Sequence, residues 1–173
     1  MTLVRVVSGM LAVLGVTAHS LAAQAPPSLV DVGGHRLNVQ VAGTSKPGVP
    51  TVVFESGLGS TLAAWYGIHL TIADSVRTIA YERAGIGMSQ PDSGARSFKG
   101  MVAELRALLE KVGAAPPYVL VGHSLGGALI NLFAATYPRE VAGLVYIDPT
   151  DFMQAEDNIA ALWEKVGTKS GLD

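Results

Sequence analysis

Short unbroken apolar runs alternate along this chain with longer stretches whose apolar residues fall on one helical face. Leu29 to Val32 and Arg36 to Val41 flank Gly33-Gly34 and predict a β-hairpin. Thr51 to Phe54, Val76 to Tyr81, Tyr118 to Val121 and Val141 to Ile147 predict buried strands. Thr61 to Ala73, Leu125 to Tyr137 and Phe152 to Val166 predict helices. The clearest helix is Phe98 to Val112, where Phe98, Met101, Val102, Leu105, Leu108, Leu109 and Val112 share one face. Ser97 can cap it and Gly113 can end it. Residues 43–50 and 85–95 are loops by composition.

Four apolar strands with crossovers between them predict an α/β fold. Its sheet is mostly parallel and doubly wound, with an antiparallel hairpin at the amino end. Functional residues in such folds sit at the carboxyl ends of strands. The junctions after Phe54, Tyr81 and Val121 are therefore the places to look.

The start of the chain reads differently. Arg5 precedes the uncharged apolar stretch Val6 to Ala18, and small residues follow in Ser20-Leu21-Ala22-Ala23-Gln24-Ala25. That order predicts an export signal over residues 1–25, cut between Ala22 and Ala25, and a secreted or periplasmic mature chain. The competing reading is a short buried helix. Residues 26–150 then form the core domain. With 173 residues, no cysteine and a net charge of -2, the chain has the length for one domain. It offers neither a disulfide framework nor a cysteine metal site, and no basic excess for nucleic acid.

The junction after Val121 reads Gly122-His123-Ser124-Leu125-Gly126-Gly127, a G-x-S-x-G turn between an apolar strand and a small-residue helix. Such a turn lifts the Ser124 hydroxyl above the sheet edge, and glycines at 122 and 126 avoid collisions across it. The bland alternative is a strand-to-helix turn with Ser124 as a cap. The loop after Phe54, Glu55-Ser56-Gly57-Leu58-Gly59-Ser60, can bring a backbone N–H beside Ser124. The N–H groups of Leu58 and Leu125 are the expected oxyanion donors. The same loop carries a partial dinucleotide fingerprint, Gly57-x-Gly59 with Glu82 at the end of the next strand; Leu62 stands where the third small residue belongs.

In these residues the chain resembles the serine-hydrolase branch of the α/β-hydrolase superfamily. The resemblance rests on Gly57-Leu58-Gly59, Tyr81 to Ser89, Gly122 to Gly127 and Gly143 to Pro149. Ser56 and Glu82 depart from it, since members often carry His and Asp there. The resemblance implies Ser124 as nucleophile attacking an ester or related acyl bond of a small molecule, with no metal or organic cofactor. It also implies a lid beginning after Pro149, so that residues 151–173 open the lid and the last two strands of the fold are missing.

A base should follow the nucleophile in sequence. The histidines, His19, His35, His69 and His123, all precede Ser124. His35 lies in the hairpin turn, His69 is a surface or packing residue, and His123 shapes the elbow through a structural hydrogen bond. Asp148 could be the acid in a minority arrangement, or could simply brace the loop at Pro149. Three readings follow: a hydrolase lacking its carboxyl-terminal part, a short non-catalytic binding protein, or a chain completed by another polypeptide. An apolar edge at Leu144 to Ile147 would favour self-association of a shortened chain. No nucleic-acid partner and no membrane span in the mature chain are expected.

Overall fold

The computed structural model describes residues 25–150 apart from 95. The expected leader up to residue 24 and the helix expected over 152–166 lie outside the described residues. Six strands form one sheet: β1 (Ser28–Asp31), β2 (Arg36–Ala42), β3 (Thr51–Glu55), β4 (Thr78–Tyr81), β5 (Tyr118–Ser124) and β6 (Val141–Pro149). Their spatial order is β1-β2-β4-β3-β5-β6. β1 pairs with β2, and β2 with β4, in antiparallel fashion. The pairs β4–β3, β3–β5 and β5–β6 are parallel. The expected architecture, hairpin first and parallel sheet after, is the one observed.

Alternate residues of the central strands face opposite layers. Val53, Ile79, Tyr81, Tyr118 and Leu120 pack with α2 (Phe98–Lys111) and α3 (Leu125–Thr136). Phe54, Ala80 and Val121 pack on the other face, against Trp65 and Ile72. Ile72 belongs to α1 (Tyr66–Ala73). α2 has the predicted buried face of Met101, Val102, Leu105, Leu108 and Leu109. Ser97 caps it by accepting from the Gly100 N–H at 3.1 Å. Just past its end, Arg77 donates to Val112 O at 2.7 Å and to Gly113 O at 2.8 Å, giving partners to carbonyls that the helix leaves unpaired.

Two boundaries moved for tertiary reasons. The helix expected from Thr61 begins as a single turn of 3₁₀ helix, Leu62–Ala64, and becomes α-helical only after Trp65. At that break the Trp65 indole N–H turns in to donate to Ser56 Oγ at 2.7 Å. The strand expected from Val76 starts at Thr78, because the Ser75 and Val76 N–H groups still bond Ile72 O. β6 is the last strand of the sheet among the described residues, and Val145, Tyr146 and Ile147 are exposed along it. No helix of the described residues is long and apolar enough to cross a membrane.

His69 resolves in favour of packing. It is 1% exposed, sits edge-on to Phe54, and its Nε2 has no hydrogen-bond partner among the described residues. Burial pulls its pKa below the ordinary 6.5. The unfolded chain therefore takes up this proton first, so stability falls as pH drops through 6.5. Thermal unfolding across that range is expected to show the loss in the parent and a flatter profile in His69→Leu. Identical profiles would contradict it.

Candidate active site

Ser124 ends β5 and precedes α3 with φ 50° and ψ -120°. This is a region that non-glycine residues avoid, at a cost of about 1–3 kcal/mol. The turn survives because the neighbouring glycines let the chain close on itself. A Cβ on Gly122 would lie 2.6 Å from the Gly126 carbonyl oxygen. One on Gly126 would lie 2.1 Å from Glu55 O, and one on Gly127 2.6 Å from the Pro149 side chain. α3 thus starts in backbone contact with the ends of β3 and β6. Ser124 is half-buried at the carboxyl end of the parallel strands, where the sequence placed it. Leu125 is the first residue of α3, so its N–H has no partner within the helix.

The loop after β3 lies against this turn. A Cβ on Gly57 would stand 3.5 Å from Ser124 Cβ and 3.0 Å from His123 Nδ1. Leu58 follows, half-buried on the core. Gly59 turns the loop at φ 69°, and the Ser60 N–H bonds Gly57 O at 3.3 Å. The loop's anchor is a buried cluster at its root. Arg83 Nη1 donates to Glu55 Oε1 at 2.5 Å and to Ser56 O at 2.6 Å, while Nη2 donates to Gly57 O. The Tyr81 hydroxyl donates to Glu55 Oε2. Burial pushes the Glu55 carboxyl above its usual range, with Arg83 and Tyr81 opposing.

One expectation needs correction, the structural hydrogen bond of His123, and Asp148 stands outside the strand register. The β5–β6 register passes from His123↔Ile147 to Ser124↔Pro149, which leaves Asp148 as the extra residue of a bulge. It has φ 42° and is exposed. The bulge brings Thr150 to the serine. The Thr150 N–H bonds Ser124 O at 3.0 Å, and Thr150 Oγ1 lies 3.3 Å from Ser124 Oγ. Among the described residues this is the one hydrogen-bond partner of the Ser124 hydroxyl. His123 makes no side-chain hydrogen bond among the described residues; its ring stands edge-on to Trp65 at 6.4 Å.

The remaining polar residues are committed elsewhere. Glu82, where a ribose-binding acid would stand, accepts from Asn38 Nδ2 at 3.0 Å, the Leu62 N–H at 3.1 Å and the Met88 N–H at 2.8 Å. A Cβ on Gly87 would sit 2.4 Å from its carboxyl carbon. Glu82 is thus an internal brace for the Gly85 to Ser89 loop, already filled by protein donors. His35 bonds Glu104 at 2.7 Å, on the hairpin side of α2. Sequence reasoning missed Thr150, Glu55 and Arg83. The available signal was charge at the ends of apolar strands, since such residues are buried only when paired.

A family model described as the alpha/beta hydrolase fold matches residues 50–171. The chain belongs to the alpha/beta hydrolase family. Relatives of this hydrolase-family chain include a probable transporter of Hormonema carpetanum, 34% identical over 137 residues, covering 76% of this chain and 19% of that protein. Another is 2-(acetamidomethylene)succinate hydrolase of Mesorhizobium japonicum, 33% identical over 130 residues, covering 73% and 44%. Among solved structures, Cfl2 of Burkholderia cenocepacia superposes with a TM-score of 0.64 at 28% identity, over 71% of this chain and 41% of that one. The chain spans less than half the length of these relatives.

Proposed function

We propose that this chain carries the nucleophile and oxyanion half of a serine hydrolase acting on an ester or related acyl bond of a small molecule. The observation that carries the proposal is Ser124 at φ 50°, presented at the foot of α3 with Gly57 against it. Backbone strain of this kind persists where the surrounding structure holds it, and it collects at reactive positions.

In the reaction, Ser124 Oγ attacks the acyl carbon and its proton passes to a base. The N–H groups of Leu58 and Leu125 receive the oxyanion, the alcohol leaves with the proton, and water releases the acyl group. No histidine follows Ser124 in this sequence. The base would therefore come from polypeptide outside these 173 residues. Thr150 holds the hydroxyl meanwhile. The amino-terminal pattern supports export, which would place the substrate outside the cytoplasm.

The test is labelling with a fluorophosphonate, which phosphonylates an activated serine. Without a base, the oxyanion site and binding alone should still give roughly a 10³-fold acceleration over water. Slow labelling of the parent, absent in Ser124→Ala, is the expected result. A folded parent that stays unlabelled, or label that persists in Ser124→Ala, would remove the proposed nucleophile.

A further inference from the structure

Two consecutive carbonyls of the loop after β3, those of Ser56 and Gly57, face one guanidinium. The Gly57–Leu58 peptide is trans, since the cis bond of the described residues is Pro116-Pro117. A trans peptide unit points its C=O and its N–H in opposite directions. Holding the Gly57 carbonyl on Arg83 therefore turns the Leu58 N–H away from Arg83. Gly57 itself lies against Ser124 and His123.

We propose that Arg83, held by Glu55, is a positioning residue that presets the Gly57–Leu58 peptide with its N–H toward the Ser124 hydroxyl, so that one half of the oxyanion site exists before substrate arrives. The inference rests on the serine-hydrolase reading above.

Glycines on both sides of Leu58 leave that peptide free to rotate. A flipped peptide would place a carbonyl oxygen where the oxyanion forms and leave the Arg83 Nη2 donor facing an N–H. Arg83 is 5% exposed and Glu55 1%, so water cannot compensate. A lysine could neutralise Glu55, but its point charge could not span both carbonyls as the planar fork does. Tyr81 completes the clamp from the end of the neighbouring strand, and fixes the second Glu55 oxygen. Arg83 touches no reacting atom in this scheme. It acts through the peptide.

The 173-residue chain suits the test, because a site without its base depends on oxyanion stabilisation for whatever rate it has. We would measure the second-order rate of Ser124 phosphonylation by a fluorophosphonate, and the Leu58 amide proton shift by ¹⁵N-resolved NMR before and after labelling. In the parent the Leu58 proton should move downfield on phosphonylation. In Arg83→Lys, and in the double variant Glu55→Met with Arg83→Met, labelling should slow on the order of tenfold to a hundredfold and the downfield shift should vanish. A merely structural Arg83 would not move that amide signal. An unshifted Leu58 proton in the labelled parent would overturn the proposal with no variant needed. Rates within about twofold of the parent in folded variants would overturn it too. Label on Ser124→Ala would instead sink the nucleophile reading beneath it.

Discussion

Gly126→Ala is expected to lower the unfolding midpoint by roughly 10 °C and to remove phosphonylation at Ser124. The added Cβ would stand 2.1 Å from Glu55 O, 2.7 Å from Glu55 C and 2.8 Å from Ser56 O. All three are backbone atoms, so no side chain can swing aside. The start of α3 must lift off the end of β3, or the strand end must distort. Overpacking of well-fitted sites costs about 1–3 kcal/mol, and backbone against backbone belongs at the upper end. The rate loss should exceed the stability loss, because the segment displaced is the root of the oxyanion loop. Gly143→Ala is the control. Its Cβ meets nothing within 4 Å, and its effect should stay within about 0.5 kcal/mol. Equal melting of the two variants would mean that helix and loop are not in contact as described.

The parts of the site legible in the sequence are those enforced over a few residues. The G-x-S-x-G turn states its own geometry, because only glycines at 122 and 126 tolerate the approach that Ser124's backbone requires. The α2 face was readable for the same reason, as a local period of apolar residues. The helix over Thr61 to Ala73 was not readable in full. Its break answers to the Trp65–Ser56 hydrogen bond, which local propensity does not contain. Thr150 escaped notice because it reaches Ser124 through a bulge, and one added residue changes which side chain meets the partner strand.

The acidic residues show the same division more sharply. Glu82 drew attention by its spacing from Gly57 and Gly59, yet the fold spends it on Asn38, Leu62 and Met88. Glu55 looked like an ordinary loop residue. It is the more deeply buried of the two, at 1% exposure, and meets Arg83 across 28 residues of chain. Pairings between strand ends depend on sheet order, which periodicity alone does not provide.

That buried pair supplies the second large effect. Arg83→Met should cost about 3–5 kcal/mol at neutral pH, because it leaves the Glu55 carboxylate in the interior with only the Tyr81 hydroxyl as partner. It also strips a donor from Ser56 O and another from Gly57 O. Burial already pushes the Glu55 carboxyl above its ordinary 4.5, and without the guanidinium that push is unopposed by charge. The folded variant then holds a proton that the unfolded chain releases, so its stability relative to the parent should recover as pH falls toward 4.5. Taking the difference from the parent at each pH cancels the opposite acid effect of His69. Adding Glu55→Met should restore at least half of the loss at neutral pH, since apolar residues of similar volume often replace a buried ion pair without penalty. Urea unfolding of parent, single and double variants measures all three quantities. A single variant as stable as the parent at neutral pH would mean the pair carries no net interaction. A double variant that regains stability but still labels slowly would separate the two duties of Arg83: neutralising Glu55, which methionines can make unnecessary, and holding the Gly57 carbonyl, which they cannot.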